Sequence, residues 1–132
     1  DKHNALDHEI NAEGGCNAGF LREDALLVVT IISDTNDTDS FTWPYQWYDK
    51  ILAAKKDPSA VVMLAITGQV LKEGEPEIPG CTYADNKPQK DLELLNKFPY
   101  KVEGDTCAKS YAPYFSEAAD KIAEACGSFV PQ

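Results

Sequence analysis

Long hydrophobic runs are missing from this sequence. No apolar stretch approaches the roughly 20 residues that a membrane-spanning helix needs, so we expect no membrane span. Basic residues are also few: 12 lysines and arginines stand against 22 aspartates and glutamates, which gives a net charge of −10. Because no basic patch is present to attract phosphates, we expect no nucleic-acid partner. Cations or basic protein surfaces are the favoured partners.

Histidine is scarce as well. Both histidines, His3 and His8, lie in the first eight residues, away from every candidate nucleophile. A serine or cysteine nucleophile needs a positioned base, and the chain also lacks a glycine-rich loop that could hold phosphate. We therefore predict a protein without catalytic activity.

Closely spaced cysteines are absent. Without a CxxC or CxxH spacing, we do not expect a zinc knuckle or a thioredoxin-type redox site. The four cysteines are far apart in the sequence, which favours two structural disulfides; free buried thiols are the alternative. Such bonds form in oxidising compartments, so we predict a secreted, periplasmic or cell-surface protein. The chain begins with Asp1 and not with methionine, and we interpret it as a mature, processed or truncated product.

The sequence does contain strongly apolar strands that alternate with helices. The runs at 26–33 and 61–68 show no period-2 alternation, which predicts strands covered on both faces, as in a parallel sheet. A weaker strand is predicted at 101–107. Helices are predicted at Tyr45 to Lys56, at Asp91 to Phe98, and from a Ser110 cap to about Cys126. On the last helix Phe115, Ala118, Ile122 and Cys126 share the predicted core face.

This order of elements predicts the fold class. Strand, helix, strand, helix, strand, helix is typical of an α/β fold, a doubly wound and mostly parallel sheet with helices on both faces. The 132 residues, 43% of them hydrophobic, are enough for one domain with a modest core.

The predicted layout also limits the disulfide pairing. Cys107 and Cys126 bracket the final helix and would be about 20 Å apart, whereas a disulfide tolerates a Cα separation of about 7 Å. Cys81 and Cys107 follow strands that end on the same side of a parallel sheet. Cys16 precedes the first strand, toward the side where the final helix ends. We therefore predict the pairs Cys81–Cys107 and Cys16–Cys126.

Three carboxylates follow the first strand, in the stretch LLVVTIISDTNDTDSF at 26–41. Ligands of open parallel sheets bind at the carboxyl ends of the strands, and hard oxygen ligands suit Mg²⁺ or Ca²⁺. Asp34, Asp37 and Asp39 are therefore candidate metal ligands. The alternative for Asp37 and Asp39 is a turn capped by their own side chains. Beyond them, Trp43 and Tyr45 are candidates to face a partner, with core packing as the alternative.

Several segments together resemble a known family. They are NAGFLR at 17–22 with Asp24-Ala25, the strand ending in Ser-Asp, VVMLAITG, LELLNKF and YAPYFSEAADKIA. Over residues 16–126 they are similar to the C-terminal half of a von Willebrand factor A-like domain of the secreted bacterial, myxobacterial type. The resemblance implies that residues 1–15 are a polar N-terminal arm and that residues 16–132 are this half-domain.

The resemblance also implies a function. In that family a divalent cation lies above the sheet, and Asp34 falls on one ligand position. The other ligands of the family come from an Asp-x-Ser-x-Ser loop and from a threonine of a second loop. The Asp-x-Ser-x-Ser loop does not occur in these 132 residues, and the resemblance implies that the first three strands of the domain are missing too, which leaves the strand at 26–33 as an open edge. The resemblance therefore implies a non-catalytic extracellular interaction or adhesion module with a partial cation site. A partner chain would supply the missing half or another subunit would cover the edge. The alternative is a structural subunit of a larger assembly in which the metal site is lost.

Overall fold

The protein is described by a computed structural model that covers residues 14–68 and 89–130, together with Gly74, Pro76 and Pro79. Most of the predicted N-terminal arm, both histidines and Cys81 lie outside the described residues. Within them the chain forms three strands, three α-helices and a short 3₁₀ helix at Pro58–Ala60. The strands and α-helices are β1 (Leu27–Ser33), α1 (Pro44–Lys55), β2 (Val61–Thr67), α2 (Gln89–Leu95), β3 (Tyr100–Asp105) and α3 (Ala112–Ser128).

The three strands form one parallel sheet in the order β1-β2-β3. Its register places Ser33, Thr67 and Asp105 beside one another at the carboxyl end. Helices cover both faces: α1 and α2 pack on one face and α3 on the other. The predicted α/β fold with a parallel sheet is confirmed.

The core lies on the two faces of β2, in which every residue is buried. On one face Val61, Met63 and Ala65 pack against α1, α2 and Phe98. On the other face Leu64 and Ile66 pack against β3 and α3. A continuous apolar run such as VVMLAIT fits a central parallel strand because neither face meets water.

Local signals set the ends of α1. Pro44 occupies its first turn, where a missing N–H is tolerated, and the Gln46 side chain accepts a hydrogen bond from the Trp43 N–H at 2.8 Å. At the other end Lys55 is buried, and its ammonium donates hydrogen bonds to the carbonyls of Arg22 and Ala25. The residues before β1 are thereby attached to the end of α1.

The core face of α3 differs from the prediction. Phe115 is 47% exposed and Cys126 is exposed, whereas Tyr114 packs in the core and Ala125 is buried. Gly104 explains the difference, because a Cβ at this position would lie 2.8 Å from the Tyr114 ring. The ring occupies the space that the glycine leaves on β3. The helix also continues through Gly127 to Ser128, beyond the predicted end.

The prediction that both faces of the first strand are covered is wrong. Exposure alternates along β1, and the side chains of Val28 and Ile32 are 46% and 57% exposed. These side chains share the face on which α3 lies, but α3 packs over β2 and β3. Among the described residues β1 is therefore an edge strand of the sheet, and one of its apolar faces is open.

The cysteines form one of the two predicted pairs at most. Cys16 and Cys126 are free thiols with exposed side chains, so the predicted Cys16–Cys126 disulfide is not formed. Cys16 belongs to a turn segment closed by its own backbone hydrogen bonds, including Ala18 N–H to the Gly15 carbonyl at 3.0 Å. Cys107 is disulfide-bonded, and Cys81, its predicted partner, lies outside the described residues.

Candidate functional site

The carboxyl ends of β1 and β2 meet closely. The Gly68 N–H donates to the Ser33 carbonyl at 2.9 Å, and a Cβ on Gly68 would lie 2.4 Å from the Asp34 carbonyl oxygen. Only glycine fits this approach without a backbone shift. Asp34 consequently begins its loop from a fixed position at the end of the sheet, with its side chain exposed.

Asp37 organises the loop that follows. Its carboxylate Oδ1 accepts hydrogen bonds from the N–H groups of Ser40 at 2.9 Å and Asp39 at 3.1 Å. Hydrogen bonds from Ser40, and to a smaller extent the Lys90 ammonium, hold the pKa of Asp37 below its ordinary value. This geometry is the capped turn that the sequence analysis gave as the alternative to cation binding.

Lys90 of α2 ties this loop to the second half of the chain. Its ammonium donates to the Ser40 carbonyl at 2.9 Å, and its backbone N–H donates to Asn36 Oδ1 at 3.3 Å. The same ammonium lies 5.4 Å from the centre of the Trp43 ring, within cation–π distance. The loop and α2 border a cavity of about 600 Å³.

Three aromatic side chains between the loop and the first turn of α1 are exposed. Phe41 is fully exposed, and Trp43 and Tyr45 are 56% and 53% exposed. Phe41 and Trp43 line the cavity. The predicted partner-facing residues Trp43 and Tyr45 are therefore accessible, and their role in binding stays a prediction.

The carboxylates of the loop do not form a closed metal site. No group of three histidine, cysteine, aspartate or glutamate side chains within the described ranges is placed to hold a metal ion. Asp34 and Asp39 are exposed, while one oxygen of Asp37 is already used by the turn. The predicted Mg²⁺ or Ca²⁺ site at Asp34, Asp37 and Asp39 stays a prediction that depends on ligands from elsewhere.

Asp91 is a further carboxylate in this region, and the sequence analysis did not select it. It is 8% exposed, and burial, followed by the negative charge of Asp37, raises its pKa. Lys90 was also missed, because a residue fifty positions from the loop carries no local signal of its contact with it. The glutamates and prolines between the two segments gave no indication that the chain returns to this place.

The open edge of β1 is the second candidate site. Because the Ser33 carbonyl faces β2 and backbone direction alternates along a strand, the N–H and C=O groups of Val28, Thr30 and Ile32 point away from the sheet. The side chains of Val28 and Ile32 are exposed on the face beside α3. An unpaired backbone edge next to an open apolar surface can add a strand.

The comparisons with known proteins do not test the family prediction. No helix in the described part of the chain combines the length and apolar character required to cross a membrane. Searches with protein-family models, among curated proteins and among solved structures found no match to this chain. The resemblance to a von Willebrand factor A-like half-domain stays a prediction. The part of the chain that the structure describes has an α/β fold with a three-stranded parallel sheet.

Proposed function

We propose that this chain is a non-catalytic protein-interaction module, secreted or held at a cell surface, whose sheet is completed by another polypeptide along β1. The observation that carries this proposal is the exposure of Val28 and Ile32 on an edge strand. An apolar edge strand exposes both apolar side chains and unpaired backbone groups. A second chain can cover the side chains and pair with the backbone groups.

The sequence of β1 lacks the features that protect natural edge strands from pairing. Natural edge strands are protected by charged side chains, by proline or by bulges, and LVVTIIS contains no charged residue and no proline. β3, at the other edge, carries Lys101, Glu103 and Asp105. The contrast between the two edges supports β1 as the binding edge.

A divalent cation is the second part of the proposal. Asp34 and Asp39 are exposed carboxylates at a strand end, where Mg²⁺ or Ca²⁺ could be bound together with oxygen ligands of the partner. In the complete assembly, chelation should lower the melting temperature, and Asp34→Asn should remove that sensitivity. An assembly that melts identically with and without the cation would contradict this part.

One observation favours the alternative, a structural subunit without a metal. The Asp37 carboxylate is occupied by two backbone N–H groups, which stabilise the loop without any ion. Both proposals include the pairing of another chain along β1. They differ only in whether chelation of the cation lowers the melting temperature of the assembly.

Site-specific crosslinking tests the paired edge. A photo-reactive residue at Thr30, exposed in the middle of β1, should form one defined adduct in cells that make the protein, and Ile32→Lys should abolish it. The matched control places the same group at Glu117, which is exposed on α3. Equal adducts at Thr30 and Glu117, or an adduct at Thr30 that survives Ile32→Lys, would overturn the proposal.

A further inference from the structure

We propose that the strand accepted by β1 is apolar and carries lysine or arginine at the end that lies beside Asp34, Asp37 and Asp39. The proposal rests on the proposed function, since it describes the chemistry of the partner at that same edge. Two observations carry it: the uncharged edge strand with its open face, and an unequal distribution of charge between the two ends of β1.

The strand itself selects an apolar neighbour. Val28 and Ile32 are β-branched side chains that remain 46% and 57% exposed on one face. On the opposite face Leu27, Val29 and Ile31 already pack against the core. A neighbouring strand places its side chains directly beside both rows, and β-branched or aromatic cross-strand pairs are the favourable ones. A strand that is apolar on both faces therefore fits this edge.

Charge distinguishes the two ends of β1. At the amino end the charges are paired within the chain: Arg22 lies 3.9 Å from Asp24, and Lys56 lies 3.1 Å from Glu23. At the carboxyl end Asp34 and Asp39 form no ion pair within the described residues, and Asp37 has only the Lys90 ammonium nearby. The excess negative charge thus lies at one end of the edge strand, and a base on the partner complements it there.

The same charges argue against a second copy of this chain as the occupant. Two copies of β1 could align antiparallel about Thr30, with Val28 beside Ile32 of the other copy. Each copy carries a net charge of −10, however, and the acidic loop of one would meet the already paired charges of residues 22–24 in the other. Repulsion opposes this pairing, and a basic partner strand removes it.

Designed peptides test the proposal on the full chain. The probes are short strands of valine, isoleucine and threonine with two lysines at the amino end, two lysines at the carboxyl end, or two glutamates in their place. Hydrogen exchange of the outward amides of Val28, Thr30 and Ile32 measures binding. At about 0.02 M salt one lysine peptide should bind about fivefold more tightly than its glutamate version, the effect of two exposed ion pairs.

The matched variant replaces Asp34, Asp37 and Asp39 by asparagine, which keeps the side-chain oxygen that accepts the turn hydrogen bonds. In this variant the ratio of the affinities for the lysine and glutamate peptides should fall to about one. The same ratio should fall to about one for the unchanged chain at about 0.5 M salt. Equal affinities for the lysine and glutamate peptides would overturn the proposal of a basic partner strand. They would not contradict the proposed pairing of another strand along β1. Absence of protection by every peptide would count against the paired edge itself. A stable dimer of the chain at low salt with these amides protected would establish a second copy as the occupant.

Discussion

At the scale of single residues, Thr67 ends the central strand with a hydroxyl that is fully buried. Its Oγ1 has no hydrogen-bond partner among the described residues, although its carbonyl accepts from the Thr106 N–H at 3.1 Å. A buried polar atom without a partner reduces stability because it has lost its hydrogen bonds to water.

Replacing Thr67 by valine removes this hydroxyl and keeps the shape of the side chain. We expect Thr67→Val to raise the free energy of unfolding by about 1 kcal/mol, measured by urea denaturation. Thr67→Ser is the control, since it keeps the hydroxyl and removes a methyl group, and it should be destabilising. A loss of stability in the valine variant would show that the hydroxyl is satisfied by a water molecule or a ligand.

Asp91 gives a prediction that depends on pH. Burial raises the pKa of Asp91 in the folded state, because the buried site disfavours the charged carboxylate. The folded state is therefore more stable when Asp91 is protonated. Its contribution is fully present below the unfolded pKa and is lost as the pH rises through the folded pKa. Asp91→Asn should therefore raise the melting temperature at neutral pH and change it little at strongly acidic pH. The same increase at both values would contradict the ionisation of Asp91 as the cause.

At the scale of elements, the packing of α3 depends on which of two adjacent aromatic residues faces the sheet. Tyr114 lies against Gly104 and the core, and its neighbour Phe115 is 47% exposed. Tyr114→Ala should cost about 3 kcal/mol of unfolding free energy, because it leaves a cavity over β3. Phe115→Ala should cost less than about 1 kcal/mol. Comparable losses in the two variants, by urea denaturation, would contradict this orientation.

The same helix shows where sequence reasoning stops. Phe115 is more apolar than Tyr114, so periodicity alone placed Phe115 in the core. Only the space above Gly104, which lies ten residues before Tyr114 and on another element, decides otherwise. The strands were predicted to within one residue at β1 and β2, because apolar runs report burial directly. The open face of β1 was not predicted, because the sequence shows that a strand can be covered but not whether a helix reaches it.

The position of the candidate site could be predicted from the sequence, but its geometry could not. The sequence identified the acidic loop and its place at a strand end, since both follow from chain order. It could not decide between a cation and a capped turn, which differ in the position of one Asp37 oxygen relative to the N–H groups of Asp39 and Ser40. That position depends on backbone dihedral angles that no short motif specifies.

At the scale of the whole molecule, net charge opposes the association that the open edge favours. We expect the isolated chain to remain monomeric at low salt and to associate through β1 at about 0.5 M salt, where repulsion between chains of charge −10 is screened. Ile32→Lys should prevent this association, because charged side chains protect edge strands.

Val130→Lys is the matched control for this variant, since it makes the same charge change at an exposed apolar residue that follows α3. Sedimentation velocity at the two salt concentrations measures the outcome. Association that is unaffected by Ile32→Lys, or equally reduced by Val130→Lys, would show that another surface is responsible.

The enclosed ammonium of Lys55 gives the fold a chemical reporter. Lys55 is 3% exposed and hydrogen-bonded to two carbonyls just before β1, while Lys56 beside it is exposed. An acylating reagent needs an accessible, neutral amine, so Lys56 should be acetylated rapidly and Lys55 only after residues 22–25 separate from α1. Mass spectrometry can measure the acetylation rates of the two adjacent lysines. The rate at Lys55, relative to the rate at Lys56, would report how often the residues before β1 separate from α1.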